Sequence, residues 1–252
     1  MKKIAVVGFG FMGLTHTINI INHRDLELVA IVNRDPGLIE KKLSSNAGNI
    51  QTGDLDSDSI RNIKKFSDLD ECIKSTEPDA LVICVPTFLH YEMAKQAMLH
   101  DRHVFLEKPM CLDISQGNEL IDLALKKNKI FMTGHVVRFM PPYRQLKKFV
   151  DTRELGDLKF LSLYRFSGRP DWGQWNEKSV MDSSGGALFD LVIHDIDLAN
   201  YLLGLPDIID CTYLPGKLSK HDYVNAMWKY GQKNVHVSIE GGNIFHSNLP
   251  FH

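Results

Sequence analysis

Apolar residues in the first half of the chain fall in short unbroken runs, and the stretches between them carry polar residues at helical spacing. Ile4 to Val7 is a β-branched run that ends at glycine. A helical stretch from about Gly13 to His23 follows, and then a second run, Leu26 to Val32, so the pattern predicts a β-α-β unit. The alternation continues with a helix near Pro36 to Ser45, the run Asp79 to Val85, a helix near His90 to His100 and a strand over His103 to Leu106. A helix over Asp113 to Lys127 and a strand over Ile130 to Thr133 complete it. Strands that are apolar throughout, rather than alternately, belong in a parallel sheet covered on both faces.

Between Ser44 and Asn62 the pattern lapses into Ser, Asn, Asp and Gly, as expected of a surface excursion. Asp54, Asp56 and Asp58 have calcium-loop spacing, but glycine does not follow Asp58 and Lys65 stands where a bidentate Glu is needed. A solvated loop is the expected reading. After Gly134 the character changes. A polar helix around Tyr143 to Thr152 leads through Leu155-Gly156-Asp157 to a strand-like Leu158 to Phe166. An apolar helix around Asp190 stops at Gly204-Leu205-Pro206, and strand-like pieces follow at Ile208 to Leu214, Tyr223 to Lys229 and Val235 to Glu240. The expected fold is α/β: a doubly wound parallel sheet over residues 1–134, then an α+β domain with a mainly antiparallel open sheet over residues 135–252.

Composition narrows the function classes. Twenty-nine basic against 31 acidic residues leave a net charge of -2, which gives no electrostatic footprint for nucleic acid or an anionic membrane. No apolar run reaches membrane-spanning length, and Gly8 and Gly10 interrupt the one after Met1-Lys2-Lys3 before it can serve as a signal peptide. Cys72, Cys84, Cys111 and Cys211 are far apart, without zinc spacing or disulfide density, and suggest a reducing, cytoplasmic compartment. No His, Cys and carboxylate spacing suggests a metal. A small-molecule substrate is the default expectation.

Three segments carry the chemistry. Gly8-Phe9-Gly10-Phe11-Met12-Gly13 follows a strand and opens a helix, where a dinucleotide fingerprint belongs. Gly8 permits the tight turn, Gly10 lets the backbone approach a pyrophosphate, Gly13 allows close helix packing, and the helix N-terminus attracts the phosphates. The acidic residue expected about twenty positions later to hold the adenosine ribose is replaced by Asn33, followed by Arg34. That pair lacks a carboxylate that would repel a 2′-phosphate and adds a guanidinium that could bind one, which favours NADP, while Asp35 keeps NAD open. The second segment, His103 to Pro109, ends in Glu107-Lys108-Pro109. The third, Gly185 to Asp197, plants titratable groups in an apolar helix, with Asp190, His194 and Asp197 in one narrow sector at 100° per residue. A carboxylate beside an imidazole in a buried sector reads as an acid/base site.

The order and spacing of these segments resemble the Gfo/Idh/MocA family, the glucose-fructose oxidoreductase and inositol dehydrogenase group of NAD(P)-dependent enzymes. Val85-Pro86-Thr87 with His90, Arg138 in HVVRFMPPY, Leu155-Gly156 and GGALFDLVIHDIDLANYLLG add to the likeness. The resemblance implies a Rossmann domain, then an α/β domain whose open sheet backs the active site and forms a homo-oligomer interface, with the two domains meeting over the nicotinamide. Lys108 matches the family's catalytic lysine, and Asp190 and His194 match its carboxylate and histidine. Pro86 and Thr87 would line the cofactor pocket, with His90 and Glu107 beside them.

On this reading His194 is the general base that takes a hydroxyl proton as hydride leaves the alcohol carbon. Lys108 hydrogen-bonds the same oxygen, and Asp190 orients the imidazole or a substrate hydroxyl. Asp195 points to another face, and Asp197 anchors packing. Tyr164, Arg165, Arg169, Trp172 and Trp175 are possible contacts for a polyol. The implied substrate is a secondary alcohol or ketone of a sugar, cyclitol or related compound. An NAD-dependent glycoside hydrolase and a cofactor-sensing regulator of the same fold are the alternatives. Two departures stand out: Val192 replaces a glycine common in relatives, and the chain ends at His252 within what resembles the late part of the family's second sheet, so its last strands are expected to be missing.

Overall fold

The computed structural model describes residues 1–39, 60–168, 170 and 177–246. Most of the stretch expected as a helix near Pro36 to Ser45, the Asp54 to Asp58 calcium-loop reading, Arg169, Trp172 and Trp175 lie outside the described residues. The chain divides into two compact units, Met1–Gly134 and His135–His252.

In the first unit, β1 (Lys2–Val7), β2 (Leu26–Val32), β3 (Lys64–Phe66), β4 (Ala80–Ile83), β5 (His103–Leu106) and β6 (Phe131–Thr133) form one sheet in the order β3-β2-β1-β4-β5-β6. All five pairings are parallel. The order reverses between β1 and β4, which is where a doubly wound sheet opens a crevice at its carboxyl edge. Helices α1 (Phe11–Ile21), α2 (Leu69–Thr76), α3 (His90–Leu99) and α4 (Ile114–Lys127) cover it. Ala5 and Val7 pack with Leu81, Ile83, Ala94, Met98 and Leu120 on one face. Ile4 and Val6, the alternate residues of the same strand, pack with Phe9, Ile20 and Ile31 on the other. This double burial is why β1 is apolar without alternation. Local chemistry sets the helix starts: the Asp68 carboxylate accepts the Glu71 N–H at 2.8 Å to cap α2, and Asp113 caps α4 through the Ser115 and Gln116 N–H groups at 2.8 and 3.1 Å. The short strand β3 goes beyond what the sequence pattern predicts, and its Phe66 carbonyl accepts the Asn33 N–H at 2.9 Å.

The second unit holds α5 (Pro141–Thr152), β7 (Phe160–Gly168), α6 (Lys178–Ser183), a π-turn over Leu188–Val192 that runs into α7 (Ile193–Leu203), and β8 (Ile208–Leu214), β9 (Tyr223–Tyr230) and β10 (Val235–Phe245). Its sheet order is β7-β10-β9-β8. The β8–β9 and β9–β10 pairs are antiparallel, but β7 joins β10 in parallel, so the sheet is mixed. Along β9, Val224, Ala226, Trp228 and Tyr230 are buried while Tyr223, Asn225 and Met227 are half-buried, a period of two that gives the sheet one core face. That core takes in Val192, Leu198, Leu202 and Leu203 from the π-turn and α7. Val192 lies 3.0 Å from where a Cβ on Gly241 would stand and packs into the core of this unit. Among the described residues no helix is long and apolar enough to cross a membrane.

Asp195 on α7 and Arg165 on β7 form a two-point pair, Nε to Oδ2 at 2.7 Å and Nη2 to Oδ1 at 2.8 Å, with both side chains buried. Burial pushes the Asp195 carboxyl above the ordinary carboxylate range, and the guanidinium opposes that shift. Removing one partner leaves an uncompensated buried charge. Asp195→Ala is therefore expected to lower unfolding stability by about 3–5 kcal/mol, and the double change Arg165→Met with Asp195→Leu to recover most of it, as read by urea denaturation. In the first unit a Cβ on Gly13 would stand 2.0 Å from the Gly8 carbonyl oxygen. Gly13→Ala is expected to cost about 1–3 kcal/mol and lower the melting temperature, because α1 must back away from the turn.

Candidate active site

The turn after β1 is built from steric requirements. Gly8 has φ +90°, and a Cβ there would stand 2.6 Å from the Cys84 carbonyl oxygen. Its N–H donates to the Val32 carbonyl at 2.8 Å, and the Cys84 N–H donates to Val7 at 2.7 Å, so the turn is held between the ends of β2 and β4. Phe9 is buried in the core and anchors the turn from below. Gly10 is the opposite of its neighbours: it is exposed, and nothing lies within 4 Å of a Cβ built on it. It caps α1 in an extended conformation with no side-chain hydrogen bond, and the first turn, Phe11-Met12-Gly13-Leu14, holds no acidic residue. The leading N–H groups of α1 thus point to an end with positive potential and no carboxylate, which suits a phosphate.

At the end of β2, Asn33 occupies the position where an acidic residue would clasp a ribose. Its Oδ1 accepts the Phe9 N–H at 3.3 Å, and its Nδ2 donates to the Asp35 carbonyl at 2.6 Å. The Asp35 carboxylate in turn accepts the Gly37 N–H at 3.0 Å. Asn33 therefore braces the glycine turn, and Asp35 closes its own local turn. Arg34 is exposed beside them.

Past β4, Pro86 precedes a 3₁₀ turn over Thr87–Leu89 that runs into α3, with Thr87 buried. His90, also buried, faces two carbonyl oxygens: Pro109 at 2.7 Å from Nδ1 and Val85 at 2.9 Å from Nε2. Burial holds this imidazole below its ordinary pKa, and the two carbonyls pull the other way. His90 ties the loop after β4 to the loop after β5.

That second loop carries Glu107, buried, and Lys108, half-buried, with a cis peptide between Lys108 and Pro109. The Glu107 N–H donates to the Ile83 carbonyl at 2.9 Å. One carboxylate oxygen lies 2.7 Å from Nε2 of His16 on α1, and the other accepts the Lys108 N–H at 3.2 Å. His16 is not marked by the sequence pattern, although it is the one titratable side chain of α1. Cys84 sits near this carboxylate; burial, with the Glu107 charge adding to it, pushes its thiol well above the ordinary value. The structure thus gathers Gly8, Gly10, Gly13, Asn33, Pro86, Thr87, His90, Glu107 and Lys108 at the carboxyl edge of the first sheet.

In the second unit the chain enters the π-turn through Gly185 (φ +88°) and Gly186 (φ +67°). A Cβ on Gly186 would stand 2.1 Å from Ser219 Oγ, so this entry is reserved for glycine. Asp190 lies in the π-turn and His194 in the first turn of α7, and both are half-buried. The expected uniform 100° helix does not run through Asp190, because a π-turn winds more slowly. The remaining acids of the segment serve packing. Asp195 pairs with Arg165, which withdraws that arginine from the candidate polyol contacts. Asp197 accepts from Arg138 Nε at 2.7 Å and Nη2 at 2.5 Å, with His135 Nδ1 at 3.6 Å. The hydrogen bonds that Arg138 donates to Asp197 hold the arginine's pKa above its ordinary value. Among the described residues no group of three or more His, Cys, Asp or Glu could hold a metal ion.

Comparison with known proteins gives these features a family. Residues 2–135 match the GFO/IDH/MocA model described as an oxidoreductase family with an NAD-binding Rossmann fold, and residues 143–248 match the GFO/IDH/MocA C-terminal domain. An uncharacterized oxidoreductase of Synechocystis is 31% identical over 204 residues, 80% of this chain and 51% of that protein. The D-glucoside 3-dehydrogenase of Escherichia coli is 29% identical over 210 residues, 82% of this chain and 55% of that enzyme. The chain therefore spans about half the length of these curated relatives. Among solved structures, myo-inositol 2-dehydrogenase from Lactobacillus plantarum shares the fold with a TM-score of 0.80 at 24% identity, over 98% of this chain and 70% of that one. With its two units matched in order by the two family models, the chain belongs to the GFO/IDH/MocA oxidoreductase family.

Proposed function

We propose that this chain serves an NAD(P)-dependent oxidoreductase acting on a secondary alcohol or ketone of a sugar, cyclitol or related polyhydroxy compound. The observation that carries the reading is the glycine turn at the β1–β4 crevice, where an exposed Gly10 and an acid-free helix end leave room and positive potential for a pyrophosphate. Phe11, Met12 and Gly13 present N–H groups there, and Pro86, Thr87 and His90 shape the neighbouring loop. A bound nicotinamide dinucleotide supplies the hydride acceptor or donor. The chain's own part is proton handling, for which the candidates are His194 as general base for a hydroxyl proton, Asp190 to orient the imidazole or a substrate hydroxyl, and Lys108 as a hydrogen-bond donor to an alcohol oxygen. In reduction the proton moves the other way.

NADP is favoured over NAD. The Asn33 amide and the Asp35 carboxylate are both engaged with local backbone, so neither is set to grip ribose hydroxyls, and the exposed Arg34 can meet a 2′-phosphate. Four free thiols suit a reducing cytoplasm. Apolar side chains exposed on the second sheet, Phe160 and Tyr164 on β7 and Ile208, Ile209, Tyr213 and Leu214 on β8, support self-association through that sheet.

Side-by-side calorimetric titration with NADPH and NADH should show tighter NADPH binding. Arg34→Ala should weaken NADPH by about tenfold, the worth of one charge-assisted hydrogen bond, and leave NADH nearly unchanged. Tighter NADH would transfer ribose recognition to Asp35 or to nearby backbone. In a turnover screen of inositols and glucosides, Lys108→Ala should keep dinucleotide affinity and lower kcat by about 10²–10⁴-fold. Undiminished turnover after that change would overturn the assignment.

A further inference from the structure

We infer that His16 is a positioning residue for Lys108, acting through Glu107, and that it links the phosphate-binding helix to the lysine loop. The inference rests on the reading of Lys108 as the catalytic lysine. Its observations lie wholly within the first unit. Nε2 of His16 stands 2.7 Å from one oxygen of the Glu107 carboxyl group, within hydrogen-bond reach. The other oxygen of that carboxylate accepts the backbone N–H of Lys108 at 3.2 Å.

The histidine has little freedom to turn elsewhere: its side chain is 20% exposed and that of Glu107 11%, and the imidazole and Phe105 rings form a T-shaped pair with centroids 5.1 Å apart. The Glu107 backbone is further fixed by its own N–H on the Ile83 carbonyl at 2.9 Å. On the far side of Lys108, the Pro109 carbonyl is fixed by His90 at 2.7 Å. The lysine's backbone is therefore held on one side by His16 through Glu107 and on the other by His90.

The geography gives the first of these holds a functional meaning. His16 stands six residues beyond Gly10 on the helix whose N-terminus faces the phosphate site, and α1 is seated on the glycine turn through Gly13. A helix carries displacement along its length as a rigid element, so a shift of α1 on filling the phosphate end is delivered to the Glu107 carboxylate and to the peptide from which Lys108 projects. Misplacing a catalytic group by about 1 Å costs on the order of 100-fold in rate.

The test compares the native chain with His16→Ala, Glu107→Ala and His16→Gln, the last of which keeps an N–H donor at similar reach. Exchange of the Lys108 amide proton, followed by NMR, is the first readout because it needs neither cofactor nor substrate. His16→Ala is expected to accelerate it by about tenfold or more, the loss of a hydrogen bond to a charged group. Glu107→Ala, which removes the acceptor of the Lys108 N–H, should do the same, His16→Gln should restore slow exchange, and the amides of β1 and β4 should be unmoved. On a substrate that the native chain turns over, His16→Ala should lower kcat by about 10–100-fold with dinucleotide affinity held within about twofold. Lys108 exchange that ignores His16, or acceleration that spreads through β1 and α1, would overturn the inference, the latter by making His16 a general scaffold residue. A native chain that binds neither NADH nor NADPH would overturn the oxidoreductase reading instead, and the exchange result would still decide whether His16 holds the lysine loop.

Discussion

The first unit depends on how closely α1 approaches the turn that ends β1. With Gly13 in direct contact with the Gly8 carbonyl, and Gly8 itself against the backbone at Cys84, no side chain fits in either place. That closeness brings the leading N–H groups of α1 to the carboxyl edge of the sheet, at the point where strand order reverses. It also sets the height of His16 relative to the loop after β5, and thereby the reach to Glu107. One steric constraint therefore underlies both the open, acid-free end of α1 and the approach of His16 to Glu107.

The second unit is organised by where its charges are neutralised. Within eight residues the chain places Asp190, His194, Asp195 and Asp197 beside a core of leucine and valine. Two of these acids meet arginines in two-point pairs, one from β7 and one from the 3₁₀ turn over Val136–Phe139. Such pairs relieve the penalty of burying a carboxylate but leave it no chemistry to perform. The π-turn re-aims Asp190 relative to the helix that follows, a local departure of the kind often found at functional sites.

The glycine spacing and the apolar runs were legible in the sequence because each expresses a short-range rule: a conformation open only to glycine, or burial of both faces of a strand. Asp190 and His194 could be picked out as titratable groups on an apolar segment, and Lys108 by its place in Glu107-Lys108-Pro109. Asn33 was legible as a departure from the acidic residue of a dinucleotide site, but its bracing of the glycine turn was not, because that depends on how Phe9 folds back toward the end of β2. The parallel pairing of β7 with β10 also escaped the pattern, since alternation along a strand reports which face is buried and not the direction of its neighbour.

By itself the sequence determined the alternation of strands and helices, the glycine turn with its helix, and the family likeness, all of which arise from residues near one another along the chain. Only the tertiary structure decided which titratable groups are neutralised and which brace a neighbour. His16 and Glu107 are 91 residues apart, Arg138 and Asp197 59, and Arg165 and Asp195 30. A hydrogen bond requires approach to within about 3 Å and alignment of donor with acceptor. No periodicity in the sequence encodes that meeting; it exists only once the elements have packed.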